Sequence, residues 1–362
     1  MQHILDYVME YGADTYRDKP FNEVDFLALS QFAYLKLKDL VPKMGGAGRG
    51  IPIRELACHP GSFRLVQENW FGRENWRLLQ LMAESERYGN ILVGNYAECY
   101  QNKYEIQFQA LTFWWRQDRI CVCFRGTDES VAGWKEDFNL AVFPRTSGQE
   151  MARTYLRLIA KHYPGKLYVA GHSKGGNLAL YAAVNATQAV QERILRVYDY
   201  DGPDGGLDPA AYQQVREKVR KYVPQQSFVG MLLNQGVSYR IVQSSGFGLM
   251  QHNPYLWWIK RGRLVLCRRR TLASKMIVGL CNRWIASMNR THRSGAIESL
   301  FDIIRYSGKE NLYHLGDDWK ASLYLMLAAL LEKLQCRKCS NKARPLTASG
   351  CPKPRHRRSG CH

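Results

Sequence analysis

The sequence contains no apolar run long enough to cross a membrane. A spanning helix needs about 20 apolar residues, whereas the longest apolar run near the end of the chain covers only residues 323–331. The first 16 residues carry three acidic side chains and lack the apolar core of a signal peptide. We therefore predict neither a membrane span nor a secretion signal, and we expect a cytoplasmic location.

Cysteines are too few and too scattered for a disulfide scaffold, with ten in 362 residues, which agrees with a reducing compartment. Acidic residues are absent between Lys218 and Glu298, and residues 336–362 contain eight Lys or Arg and no Asp or Glu. The formal net charge of +19 is therefore a property of the C-terminal part of the chain.

The basic tail, residues 336–362, contains residue types that bind zinc, namely Cys336, Cys339, Cys351, His356, Cys361 and His362. Their spacing is irregular after the first pair, and few apolar residues are present to pack a small metal domain. We predict a disordered tail and a protein without a metal or organic cofactor. Charge alone would let the tail touch nucleic acid or anionic lipid, but we expect no specific nucleic acid.

The remaining chain alternates strands with helices, and its apolar fraction of 46% is sufficient for a sizeable core. Strand patterns occupy residues 104–114, 120–124, 167–170, 194–201, 221–223 and 238–243, and helical patterns occupy residues 22–35, 73–88, 149–162, 177–184, 210–219, 272–288, 296–306 and 317–334. This order predicts an α/β fold with a mostly parallel sheet flanked by helices. We expect a single domain over residues 1–335, with helical additions at 1–90 and 259–335.

The strongest local signal is Gly171-His172-Ser173-Lys174-Gly175, which lies between a strand pattern and a helix pattern. This is the G-x-S-x-G arrangement of a nucleophile elbow, in which the serine lies on a sharp strand-to-helix turn. The alternative interpretation is a tight turn without chemistry. If the elbow forms, the amide of Lys174 at the start of the helix can stabilise an oxyanion.

A serine nucleophile needs a general base, and the histidine follows the serine in the chain order of α/β-hydrolases. His252 follows the last strand pattern, where a loop can carry its imidazole over the edge of the sheet, so it is the preferred base. The alternative is a histidine in a surface loop. His314 lies in the helical C-terminal region, which favours a structural role.

The orienting acid is chosen by elimination among the carboxylates between Ser173 and His252. No acid follows Glu217 in this interval, so the loop after residues 221–223 cannot supply one. Asp201 ends the preceding strand pattern and is the first choice, with Asp204 second. An Asp before Gly-Pro can also simply fix a turn, and a Ser-His dyad without an acid remains open.

Several segments together resemble the class 3, fungal-type lipases: Phe124-Arg-Gly-Thr-Asp128, Trp134 with Asp137, the elbow, and a Gly-Pro turn after the next strand. Residues 134–138, 223–233 and 251–254 more closely resemble a bacterial lipase-like family called Mbeg-like. The resemblance covers roughly residues 20–330. It implies an α/β-hydrolase fold, Ser173 as nucleophile, His252 as base, and Thr127 with Lys174 in the oxyanion hole.

One departure from the class 3 pattern concerns the acid. Those lipases place it shortly before a Val-Pro pair, where this sequence has Lys221. The departure moves the expected acid to Asp201.

We expect a serine esterase or lipase-like hydrolase that acts on an acyl ester or lipid through an acyl-enzyme. Acyl transfer would use the same residues. The rival hypothesis is a catalytically weak or inactive protein that binds a partner or a membrane surface. Residues 255–263 combine Trp257 and Trp258 with basic side chains, which suits contact with anionic lipid, although both rings could instead pack under the C-terminal helices.

Overall fold

The computed structural model describes residues 1–46, 50–66, 71–101, 106–127, 140 and 145–287, and all structural statements concern these residues. They lie within one compact unit. The expected helices at 296–306 and 317–334 and the tail at 336–362 fall outside them, as do Asp128, Trp134 and Asp137.

A nine-stranded sheet forms the centre of the described part of the chain, in the order β1-β2-β3-β4-β5-β6-β7-β8-β11. The strands are β1 Ile51–Pro52, β2 Leu92–Gln101, β3 Ile106–Arg116, β4 Arg119–Phe124, β5 Lys166–His172, β6 Ile194–Tyr200, β7 Val219–Pro224, β8 Tyr239–Val242 and β11 Leu266–Cys267, while β9 Ile259–Lys260 and β10 Arg263–Leu264 form a separate pair. Strands β4 to β8 are parallel, and the other strands of the large sheet are antiparallel to their neighbours. The carboxyl ends of β5, β6 and β7 therefore meet at one edge.

Helices cover both faces of this sheet. They are α1 Ile4–Tyr11, α2 Glu23–Phe32, α3 Ile53–Cys58, α4 Gly72–Glu84, α5 Ser147–His162, α6 Lys174–Val184, α7 Gln188–Arg193, α8 Pro209–Val215 and α9 Leu272–Ser287. Alternate residues of β4 enter different cores: Cys121 and Cys123 pack with the N-terminal helices, and Val122 packs with α5 and α6. This arrangement of a mainly parallel sheet between two helical layers is the α/β-hydrolase fold, as expected.

Local signals predicted several of these elements well. Asn22 caps α2, because its side chain accepts a hydrogen bond from the amide of Val24 at 2.8 Å. The strand patterns at residues 104–114 and 120–124 correspond to β3 and β4, which pair antiparallel. Helix α2 has no face exposed to solvent, because every residue from Val24 to Phe32 is buried. It lies between the sheet and α4, so both of its faces are covered.

Strand β1 and two further strand regions were absent from the sequence prediction. Strand β2 was missed because a register shift between Gly94 and Ala97 interrupts its alternation, and Asn95 within it has a positive φ of 51°. Residues 259–267 were expected to be helical, but they form the short strands β9, β10 and β11. Runs of two residues are too short to produce a readable pattern.

Candidate active site

Ser173 lies between β5 and α6 with φ 58° and ψ −131°, a conformation that costs energy for a residue with a side chain. Small neighbours let this turn close. A Cβ on Gly171 would collide with the carbonyl oxygen of Gly175, and one on Gly175 would collide with that of Phe124. The segment therefore has the geometry of a nucleophile elbow, with the serine between the strand and the positive end of the helix dipole.

Asp201 directly follows β6, the strand next to β5. The amide of Ser173 donates to the carbonyl of Tyr200 at 2.9 Å, and the amide of Asp201 donates to the carbonyl of Tyr222 at 2.8 Å. The two side chains thus leave neighbouring parallel strands at the same edge of the sheet. Asp201 also has a positive φ of 58°.

The structure pairs Asp201 with His252. Nδ1 of His252 lies 2.7 Å from Oδ2 of Asp201, whose side chain is 1% exposed, whereas the His252 side chain is 25% exposed. Oδ1 of the same carboxylate accepts a hydrogen bond from Ser227 Oγ at 2.5 Å. Both carboxylate oxygens are therefore engaged, one by the ring and one by a buried hydroxyl.

His172 connects the elbow to the loop that carries His252. Its Nε2 lies 2.9 Å from the carbonyl oxygen of His252, so Nε2 carries the proton, and Nδ1 accepts from the Tyr34 hydroxyl at 3.0 Å. Burial lowers the pKa of His172 well below its ordinary value, and the neighbouring His252 lowers it further. A neutral imidazole in a fixed tautomer is thus packed against the His252 ring, with 4.6 Å between ring centroids.

Ser173 itself is buried, with 9% of its surface exposed. Among the described residues, no hydrogen bond joins its hydroxyl to the His252 ring. Such contacts are often long in ligand-free hydrolases and tighten when substrate binds. Chain order and strand pairing bring Ser173, Asp201 and His252 to one edge of the sheet.

Asp204, the second candidate for the acid, contacts Lys221 instead of His252. The Lys221 ammonium donates a hydrogen bond to Asp204 Oδ1. It donates another to the carbonyl of Gly202, at 2.5 Å, and lies 3.3 Å from Asp199 Oδ2. All three charged side chains are fully buried. Lys221, the residue at which the sequence departs from the class 3 pattern, is therefore the centre of a buried ion cluster next to the Asp201 turn.

The ionisation of this cluster follows from its burial. Burial by itself would lower the pKa of Lys221, but the Asp199 and Asp204 carboxylates raise it above its ordinary value. Burial raises the pKa of Asp199 to about 7, although Lys221 opposes the rise, and burial raises the pKa of Asp204 in the same way. The ammonium is the charge that keeps both carboxylates in the core.

The two expected oxyanion-hole residues lie next to the elbow. Lys174 begins α6, and its ammonium points away, donating to the carbonyl of Gln107 at 2.9 Å. Gly126 is packed so closely that a Cβ would collide with the carbonyl oxygen of His172. This contact places the backbone before Thr127, a buried residue, beside the elbow.

Trp257, which the sequence offered for contact with lipid, lies in the core. Trp257 is fully buried and donates to the carbonyl of Gln251 at 2.8 Å, so it belongs to the core and is not available to lipid. No group of three or more His, Cys, Asp or Glu in the described ranges could hold a metal ion. Nor does any helix in those ranges have the length and apolar character needed to cross a bilayer.

Sequence reasoning did not find Ser227, His172 or Tyr34 as members of the site. Ser227 and Tyr34 carry no local signature, because each is significant only through a contact with a distant segment. His172 lies inside the elbow motif, and its position beside Ser173 was the one available signal.

The fold and the elbow define this chain as a member of the α/β-hydrolase class. The family comparison then identifies the group: a profile of the Mbeg1-like family matches residues 82–302, which is more than half of the chain, and the chain belongs to that family. The closer of the two resemblances read from the sequence is thereby confirmed. No curated protein sequence matches the chain significantly.

Solved structures with some similarity include several lipases. The M37 lipase is 13% identical, with 75% of this chain and 82% of that chain covered and a TM-score of 0.38. A fungal lipase in complex with an inhibitor is 16% identical, with 68% and 84% covered and a TM-score of 0.38. A lipase from Rhizopus microsporus var. chinensis is 15% identical, with 68% and 77% covered and a TM-score of 0.35.

Proposed function

We propose that the protein is a serine hydrolase that cleaves a carboxylic ester through an acyl-enzyme on Ser173. The observation that carries this proposal is the elbow serine beside a buried Asp201 whose carboxylate lies 2.7 Å from His252 Nδ1. A buried carboxylate on Nδ1 leaves Nε2 of the ring as the site that takes a proton. A serine with such a base and acid attacks an acyl carbonyl, so the proposed substrate is an acyl ester or lipid.

The reaction proceeds in two halves. His252 Nε2 takes the proton from Ser173 Oγ as the oxygen attacks the ester carbonyl, and the amides of Lys174 and Thr127 stabilise the oxyanion. The imidazolium gives this proton to the departing alcohol, which leaves the acyl group on Ser173. Water then attacks the acyl-enzyme with the same base, releasing the acid and restoring the serine. Acyl transfer differs only in the acceptor of the second half.

Labelling with a fluorophosphonate tests the nucleophile. We expect the wild type to be labelled and Ser173→Ala to be unlabelled, because the probe reacts with an activated serine. Ser245→Ala, a change at an exposed serine, is the matched control and should label like the wild type. Equal labelling of wild type and Ser173→Ala would contradict the proposal that Ser173 is the nucleophile.

Ester turnover tests the acid. Asp201→Asn should lower kcat by about 10⁴-fold, because the ring loses both its orientation and the charge that stabilises its protonated form. Asp208→Asn, at an exposed cap of α8, should change kcat little. Near-normal turnover by Asp201→Asn would assign the reaction to a Ser-His dyad.

A second proposal concerns contact with an anionic membrane. Phe247, Leu272 and Met276 are 81%, 76% and 67% exposed. The segments that carry them both bond to the turn at Gln225 and Gln226. Gln226 Oε1 accepts a hydrogen bond from the amide of Gly248 at 2.6 Å, and the Gln225 carbonyl accepts one from the amide of Thr271 at 2.9 Å.

Arg268, Arg269 and Lys275 are exposed beside these apolar side chains. Apolar and cationic groups together favour an anionic lipid surface. In sedimentation with phosphatidylglycerol vesicles, Leu272→Asp should weaken binding by about 10- to 100-fold, since burying one such side chain contributes about 1.5–3 kcal/mol. Met9→Asp, at an exposed site elsewhere, is the control. Vesicle binding without fluorophosphonate labelling would favour the non-catalytic binding protein.

The extent of the domain and its location belong with these proposals. We propose one hydrolase domain over residues 1–335 followed by a basic tail, and a cytoplasmic location. Expression of residues 1–335, compared with the full chain by thermal unfolding, tests the first. Fractionation of cells that produce the protein tests the second.

A further inference from the structure

Ser227 lies in the turn after β7 and is buried, with 2% of its surface exposed. Its hydroxyl lies 2.5 Å from Oδ1 of Asp201. Because a carboxylate can only accept, the Ser227 hydroxyl is the donor. The carboxylate is thereby fixed by a hydroxyl on one oxygen, with its other oxygen directed at the His252 ring.

The position of Ser227 is in turn set by helix α9. The Ser227 carbonyl oxygen accepts hydrogen bonds from Ser274 Oγ at 2.7 Å and from Arg270 Nη2 at 3.4 Å. The Ser227 amide donates to the Pro224 carbonyl at 2.9 Å. Ser274 and Arg270 are each 7% exposed, so these bonds are shielded from water. Ser274 in α9 and Arg270 just before that helix thus fix the position of Ser227, which in turn fixes the carboxylate of Asp201.

The same turn is tied to the loop that carries His252. The amide of Gln226 donates to Gln251 Oε1 at 2.8 Å, and Gly230 packs so closely that a Cβ would collide with Asp201 Oδ1. Acid, turn and histidine loop are therefore one connected unit. A carboxylate that loses a fixed donor can rotate about its last torsion, which is broad and two-fold.

We propose that Ser227 is a positioning residue for Asp201 and that Ser274, in the first turn of α9, acts on the reaction through Ser227. This inference rests on the proposed ester hydrolysis, in which Asp201 orients His252. Ser227 touches neither substrate nor the reacting atoms. Its effect appears in the transition state, when the imidazolium must be held in place.

Ser227→Ala should lower kcat by about 10- to 100-fold with little change in KM, the effect of losing one hydrogen bond to a charged group. The acid limb of the kcat/KM profile should move to higher pH, because a carboxylate that loses a donor becomes more basic and strengthens the attraction for a proton on the ring. Ser227→Thr retains the hydroxyl and should recover most of kcat. Ser30→Ala removes another buried serine hydroxyl, which donates to the Phe26 carbonyl, and should leave kcat and the pH profile unchanged.

A double-mutant cycle tests the connection to α9. Ser274→Ala should lower kcat less than Ser227→Ala, and the double variant should resemble Ser227→Ala alone, because Ser274 acts through Ser227. Additive losses would overturn this part of the proposal. Thermal unfolding of each variant separates loss of kcat from loss of fold.

A proton NMR signal provides a readout independent of turnover. The Nδ1 proton between His252 and Asp201 should resonate at low field, be lost in His252→Ala, and shift in Ser227→Ala but not in Ser30→Ala. Unchanged kcat, pH profile and NMR signal in a folded Ser227→Ala variant would overturn the inference while leaving the hydrolase proposal intact. Equal turnover by wild type and Ser173→Ala would instead overturn both.

Discussion

Replacing Lys221 by Met removes the ammonium that neutralises two buried carboxylates. The lysine side chain is 0% exposed, as are those of Asp199 and Asp204. Met has a similar length, so packing is largely retained and the change is mainly one of charge. What remains is two carboxylates in the core without a cation.

Breaking a buried ion pair from one side costs about 3–5 kcal/mol, which is a large share of the 5–15 kcal/mol by which a domain of this kind is stable. The cost depends on pH. Asp199 already has its pKa raised to about 7, mainly by burial, and the loss of Lys221 removes a neighbour that lowers it. A carboxyl whose pKa is raised in the folded state binds more protons there than in the unfolded state. It therefore destabilises the folded state more as the pH rises.

We therefore expect Lys221→Met to lose more free energy of unfolding at pH 8 than at pH 5.5. Urea unfolding followed by circular dichroism at the two pH values measures both losses. The matched control combines Lys221→Met with Asp199→Asn and Asp204→Asn, which removes all three charges and should recover most of the stability. A loss below about 1 kcal/mol at pH 8, or an equal loss at both pH values, would refute the argument that the ammonium neutralises this cluster.

Two further predictions concern stability away from the acid. Arg87→Met should destabilise the fold by about 3–5 kcal/mol in urea unfolding, because the buried guanidinium binds both oxygens of Asp25 at 2.7 and 2.8 Å; a wild-type midpoint would contradict this. Gly176→Ala should cost about 1–3 kcal/mol, since its Cβ would collide with Asp199 Oδ1, whereas Gly279→Ala, where nothing lies within 4 Å, should stabilise slightly. Equal thermal shifts in these two glycine variants would show that the collision is relieved without cost.

Much of the fold could be predicted because its signals are local. The cap at Asn22, the β3–β4 hairpin and the elbow each depend on residues within a few positions of one another. Strand β2 could not be predicted in this way, because the irregularity between Gly94 and Ala97 removes the alternation on which strand prediction depends. The short strands between residues 259 and 267 acquire their identity only from the partners they pair with.

The candidate site, like the fold, could be predicted only in those parts that depend on local signals or on chain order. The elbow with Ser173 follows from adjacent residues, and chain order was enough to propose His252 and to rank Asp201 above Asp204. Those roles are proposals, and they rest on a His252 ring bonded to Asp201, a contact between residues 51 positions apart.

The sequence by itself determined the elbow, the class of fold and a short set of candidates, because motif spacing and chain order are properties of neighbouring residues. Only the tertiary structure decided what Lys221 does: in the sequence it is a missing acid, and in the fold it neutralises Asp199 and Asp204. The link from Ser227 to Asp201 likewise joins positions 26 residues apart, and that from Tyr34 to His172 spans 138. Such contacts form when parallel strands bring their carboxyl ends to one edge, and no local pattern encodes which buried groups will meet there.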